Sequence, residues 1–193
     1  MQILTAKTPD TEADLHPLIE KRWSPRSFSD QMIDEAQMTE LLEAARWAAS
    51  CNNEQPWKYV YAFRGTEGFE NIWGTLREGN QGWAKNASVL VVSLARQTFG
   101  ANGNPNPWAA HDLGMANSQL TLQAMDKGIF AHFMAGFYPE KVNELLNLGE
   151  DVKPVAVIAL GYRGEPEALE EPLRSRELAT RSRKELSEIA EKI

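Results

Sequence analysis

Apolar positions along the chain switch between a helical period and runs that suit strands, and the switches predict the elements. Leu15, Leu18 and Ile19 share one helical face and predict a helix over residues 14–22, with Pro17 tolerable in its first turn. Asp34 followed by Gln37 reads as a capping box. Behind it, Met38, Leu41, Leu42, Ala45 and Ala49 form the stripe of a core-facing helix. The aromatic run Trp57–Phe63 predicts a strand, and Phe69, Ile72, Trp73 and Leu76 mark a short helix. In residues 89–95 apolar side chains occupy both faces, the mark of a strand buried on both sides. The longest helical period covers residues 109–127 and is closed by Gly128. A strand at Ile129–Met134, a helix at 139–148 and a second buried strand at 154–162 follow. Residues 165–180 are charged and irregular, after which Ser182 and Glu185 predict a capped last helix carrying Leu186, Ile189 and Ile193. Helices and strands alternate around the long helix, so the pattern predicts an α/β or α+β fold on one sheet.

Composition narrows the picture. The 193 residues suit a single domain, 1–193, or one subunit of a compact oligomer. The formal charge of −7 argues against a general nucleic-acid binder, which needs a basic excess. One cysteine, Cys51, leaves no intrachain disulfide and no cysteine-cluster zinc site. No apolar run nears the ~20 residues that span a bilayer, and the opening MQILTAKTPD lacks a secretory pattern, so the expected setting is cytoplasmic with no membrane partner. Residues 79–139 hold only Lys85, Arg96, Asp112, Asp126 and Lys127 as charged groups. A helix in so uncharged a stretch is expected to be buried on more than one face, either at a subunit interface or as a core helix wrapped by its own chain.

Candidate chemistry is sparse. The sequence contains no phosphate loop, no H-E-x-x-H and no G-x-S-x-G. His16, His111 and His132 share no metal-ligand spacing. Cys51 has no neighbouring base in sequence to activate it. Two basic clusters stand out in an acidic chain: Arg22 and Arg26, which bracket Ser24, and Arg181-x-Arg183 before the last predicted helix. Guanidinium groups match phosphate oxygens bidentately, and a helix N-terminus would add amide donors. The alternative is a set of solvated arginines paired with the many glutamates.

The segment from Lys21 to Phe28, KRWSPRSF, resembles the opening signature of the FMN-dependent nitroreductase family, and ASCNNEQPW, ending at Trp57, resembles its P-S-S-x-N-x-Q-P-W loop. Further segments follow in the family's order: Gly79-Asn80-Gln81, Ala110 to Gly114, Gly136-Phe137, Pro154 to Gly161, and Arg181-x-Arg183. The resemblance spans nearly the whole chain. It implies an α+β fold with a central mixed sheet flanked by helices, in an intertwined homodimer with FMN at the subunit interface. By position, Arg22, Trp23, Ser24 and Arg26 would hold the ribityl-phosphate and the pyrimidine edge of the flavin. Ser50, Cys51 and Asn53 would come from the partner subunit, and Asn80 would bond the pyrimidine edge. The Ala135–Gly136 backbone would face flavin N5, and Arg181 and Arg183 would clamp the phosphate, with Arg174-x-Arg176 a second candidate clamp. The implied activity is ping-pong hydride transfer from NADH or NADPH through FMN to a small-molecule acceptor such as a nitroaromatic, a quinone or an enone. No protein side chain is obligatory as an acid. A dehalogenating or flavin-consuming relative and a non-catalytic FMN-binding dimer stand beside that reading. Trp23, Ala49, Cys51 and Trp83 depart from residues common in the family.

Overall fold

The computed structural model describes residues 7–193; Met1 to Ala6, part of the opening segment read above for a secretory pattern, lie outside the described residues. The first helix, α1 (Pro17–Lys21), is shorter than predicted because His16 caps it: His16 Nδ1 accepts the Leu18 N–H at 3.2 Å, with Pro17 in the first turn. Helix α2 (Glu35–Arg46) starts at the predicted capping box and buries Met38, Leu41 and Ala45. A 3₁₀ turn, Cys51–Asn53, leads into β1 (Trp57–Phe63). Then come α3 (Glu67–Trp73), α4 (Glu78–Ala84), β2 (Val89–Arg96), α5 (Ala109–Asp126), β3 (Ile129–Met134), α6 (Pro139–Leu146) and β4 (Val152–Tyr162). A 3₁₀ turn at Pro166–Ala168, α7 (Leu173–Leu178) and a last 3₁₀ turn, Leu186–Glu188, complete the chain.

The sheet has the order β1-β2-β4-β3, and all three pairings are antiparallel. The expected mixed sheet is therefore corrected to an antiparallel one. The reason is the insertion of β4: β2 and β3 run parallel across the α5 crossover, but β4 lies between them and pairs with both. Alternate residues of β2 feed two cores. Val89 and Val91 pack with α2 and α5 through Met38, Leu41, Ala116 and Leu120. Leu90, Val92 and Leu94 pack on the other face with Phe69, Ile72, Trp83 and Val142 of α3, α4 and α6.

Three differences from the sequence reading matter for the site. Helix α4 was not anticipated, because its EGNQGWA is poor in periodic apolar residues. Residues 165–180 contain α7. The capped last helix is replaced by a single 3₁₀ turn whose capping pair is Glu185 and Glu188. Leu186 and Ile189 are 74% and 66% exposed, and a stripe with nothing to pack on cannot stabilise so short a helix. Helix α5 is not wrapped by its own chain: it buries Leu113, Ala116, Leu120 and Ala124 but leaves Ala110, Gly114, Met115 and Ser118 exposed.

Candidate functional site

The segment after α1 turns away from the helix at Pro25 and lies against three distant elements. Arg22 is half-buried, and burial, then Arg181 and Arg183, push its pKa down from the ordinary value. Among the described residues no carboxylate lies within ion-pair distance of Arg22, Arg181 or Arg183. Arg181 reaches Arg22 from the chain that follows α7. Its Nη1 donates to Lys7 O at 2.8 Å and Glu20 O at 2.7 Å, while Nε is buried without a partner. Arg183 is exposed, and its Nη1 donates to the neighbouring Ser182 O at 2.7 Å. Beside this cluster opens a cavity of about 340 Å³, lined by Arg22, by Gly114, Asn117, Ser118 and Thr121 of α5, and by Phe133 of β3. Arg174 stands apart, paired with Glu171 at 3.0 Å. The expected helix N-terminus beside Arg183 is absent, since the last helix is not formed.

Ser24 is half-buried, whereas the Trp23 ring is committed to packing, edge-on to Phe130 at 6.2 Å and 4.6 Å from Lys7 Nζ. Arg26 carries its guanidinium carbon 5.9 Å from the Trp83 ring. Its backbone N–H and that of Ser27 donate to the carboxylate of Glu177, itself 1% exposed. On the opposite side of the turn, His132 Nδ1 donates to Pro25 O at 2.9 Å, and its ring lies 4.4 Å from that of Trp83. Neither Glu177 nor His132 was singled out in the sequence as a site residue. A lone buried carboxylate in a charged tail and a lone histidine on a strand carry no spacing that could have marked them.

Burial lowers the His132 pKa from 6.5 to about 4, against the opposing pull of the Pro25 and Ser24 carbonyls. A histidine depressed on folding contributes stability that is complete above the unfolded pKa and lost as pH falls through the folded one. The protein is therefore expected to lose about 3 kcal/mol between pH 6.5 and pH 4 through this group. Chemical denaturation across that range checks it: a His132→Gln variant should lose that part of the slope, and an unchanged slope refutes the assignment.

Asn80 and Gly136 meet. Asn80 Nδ2 and the Arg77 N–H both donate to Gly136 O at 3.0 Å, so α4 is stitched to the end of β3. A Cβ on Gly136 would lie 2.6 Å from Asn80 Nδ2, and the neighbouring Ala135 is exposed. Trp83, one turn beyond Asn80, is 1% exposed and belongs to the core.

Ser50, Cys51 and Asn53 form a separate group at the start of α5. Cys51 N–H donates to Asp112 Oδ2 at 2.9 Å, and Ser50 Oγ accepts the Gln55 N–H at 3.0 Å. Asn52, Asn53 and Gln55 adopt left-handed φ values near 50°, which asparagine tolerates better than most residues. The 98–108 loop is tied to this group, since Gly100 N–H donates to Glu54 Oε1 at 2.6 Å. No hydrogen bond or ion pair joins this group to Arg22 or Arg26 among the described residues. Buried Asp112 was missed, although an acid in the first turn of a helix whose other acid lies at its far end was a usable signal.

The profile of the nitroreductase family matches residues 19–81 and 66–162, which run from within α1 to the end of β4. The chain belongs to the nitroreductase family. A crystal structure of an oxidoreductase containing FMN superposes with a TM-score of 0.89 at 34% identity, over 94% of this chain and 92% of that one. A nitroreductase-family protein from Streptococcus pneumoniae shares the fold with a TM-score of 0.73 at 24% identity, over 91% of this chain and 98% of its own. An Archaeoglobus fulgidus protein provisionally named NADH dehydrogenase/NAD(P)H nitroreductase is 29% identical over 150 residues, 75% of this chain and 83% of its own. Within the nitroreductase family match lie the Arg22–Arg26 turn, the Ser50–Asn53 loop and the Asn80–Gly136 contact; Arg181 and Arg183 follow it. Among the described residues no helix is long and apolar enough to cross a membrane.

Proposed function

We propose that this chain is an FMN-dependent NAD(P)H oxidoreductase that acts as a homodimer and reduces a small electron acceptor in a ping-pong order. The observation that carries the reading is the convergence of Arg22, Arg181 and Arg183 without a carboxylate, with the Arg181 Nε buried and unpartnered. Three cations gathered without counter-charge are costly in the free chain, and a phosphate dianion supplies what they lack. The residues fit FMN at the other end as well, where Asn80 and Gly136 bring an amide and a side-chain-free backbone together. A side chain at Gly136 would collide with Asn80 and displace the amide that would bond the ring.

In this reading Arg22, Arg181 and Arg183 hold the phosphate, and Ser24 offers a hydroxyl to the ribityl chain. Arg26 and Asn80 orient the pyrimidine edge of the ring, and the Ala135–Gly136 backbone fixes its depth. Bound there, FMN supplies a two-electron carrier between a nicotinamide and the acceptor. The Arg26 guanidinium would favour negative charge on the pyrimidine edge of a bound ring, and acceptor choice would be left to pocket shape. Ser50, Cys51 and Asn53 would serve the partner's site, since in their own chain they stand apart from the arginines.

Surface area supports the dimer. The chain exposes 11,493 Å². A compact monomer of this mass exposes about 9,200 Å². Trp47 and Trp108, 72% and 52% exposed, and the uncharged face of α5 supply apolar surface to cover. The test is direct: the purified protein should be yellow, bind one FMN per chain and oxidise NADH or NADPH when offered nitroaromatics, quinones or enones. A colourless protein that takes up no FMN overturns the reading.

A further inference from the structure

Glu177 is 1% exposed, and burial raises its pKa against the pull of the Arg26 and Ser27 amides and of the Lys7 and Arg26 charges. Its two oxygens accept the Arg26 N–H at 3.2 and 3.0 Å and the Ser27 N–H at 3.3 Å. A carboxylate so buried normally sits against a cation, yet none lies within ion-pair distance among the described residues. Lys7, 7% exposed, turns its Nζ to Ala179 O and to the Trp23 face instead. Arg26 sends its guanidinium toward Trp83, and Arg181 binds two carbonyls. Glu177 is thus a negative charge set under the backbone of a cationic turn and left unquenched by contact.

We infer that Glu177 is a positioning residue of the cofactor site, one that fixes the Arg26 backbone and offsets the positive field that Arg26 and Lys7 place on a bound flavin. The inference rests on the proposed FMN site. It assigns Glu177 two separable effects. The three amide contacts hold the turn, so their loss loosens FMN. The charge opposes electron uptake, because a reduced flavin carries negative charge and an adjacent anion disfavours it. A neutral side chain of the same shape keeps much of the first effect and removes the second.

The experiment compares wild type, Glu177→Gln and Lys7→Met as FMN-loaded proteins, measuring FMN dissociation constants and midpoint potentials. Glu177→Gln should retain FMN within a few-fold of wild type and shift the reduced-to-oxidised ratio at fixed potential up to tenfold toward reduced flavin. Tenfold is about 30 mV for a two-electron couple. Lys7→Met removes a charge of the opposite sign and should shift the ratio toward oxidised flavin, which keeps the test decisive if the glutamine variant fails to fold. Potentials unmoved in either folded variant, with only weaker FMN binding or a lower Tm, overturn the inference and leave the FMN site standing. A wild-type chain that binds no FMN overturns the site and the inference together.

Discussion

An Arg22→Ala protein is expected to leave purification colourless where the wild type is yellow. Arg22 is half-buried at the mouth of the cavity beside α5, and it has no carboxylate to satisfy it in the free chain. A charge-assisted hydrogen bond contributes about 1.5–3 kcal/mol, so FMN should bind roughly 10- to 100-fold more weakly. The same change relieves repulsion with Arg181 and Arg183, so the flavin-free protein should keep its Tm or gain slightly. The pairing of lost flavin with undiminished stability is what distinguishes a ligand-holding arginine from a surface one. Equal flavin content in the two proteins would return the cluster to the solvated alternative raised by the sequence.

A second large effect is expected away from the Arg22–Arg181–Arg183 cluster. The chain passes within contact of itself at Gly164, whose N–H donates to Ser27 O at 2.9 Å. A Cβ there would lie 2.7 Å from Ser27 Oγ and 2.8 Å from both the carbonyl carbon and the oxygen of Phe28. Two of those atoms are backbone and cannot rotate aside, so Gly164→Ala must push the Ser27–Phe28 strand off its bridge to Arg163. Overpacking of this kind costs about 2 kcal/mol, or roughly 4–8 °C in Tm. The displacement also moves Arg26, so FMN affinity should fall with stability. Gly82→Ala is the control, since a Cβ there meets nothing within 4 Å. Thermal melts of the two variants with and without FMN check both halves, and a Gly164→Ala protein as stable as wild type refutes the contact argument.

Much of the architecture was legible because the apolar period is strong where two cores need it. Strand Ile129–Met134 and strand Trp57–Phe63 were read to the residue, and the capping box at Asp34 fixed the start of α2. What escaped was set by tertiary contact rather than by local pattern. Helix α4 is placed by Trp83 reaching a core that no local window reveals. The last predicted helix fails because its stripe meets no surface in this chain. The antiparallel sheet depends on β4 entering between β2 and β3, which periodicity cannot say. The site divides the same way. Arginines flagged by charge contrast do gather, Arg22 with Arg181 and Arg183, and Asn80 does meet Gly136. Their supports leave no local trace: the hydrogen bonds of His132 to Pro25, Glu177 to Arg26 and Lys7 to Ala179 span 107, 151 and 172 residues.

The position of β4 also sets when the molecule can come into being. Val152–Tyr162 is the last strand made and pairs with both β2 and β3, whose facing edges are bare until it arrives. The bridge that seats Phe28 against Arg163 waits on the same event. A chain still emerging from the ribosome therefore carries two apolar strands, Val89–Arg96 and Ile129–Met134, with unpaired edges for the whole time needed to add the remainder. Assembly is late and nearly all at once, and premature termination before residue 152 would yield a fragment suited to aggregation rather than a smaller working protein.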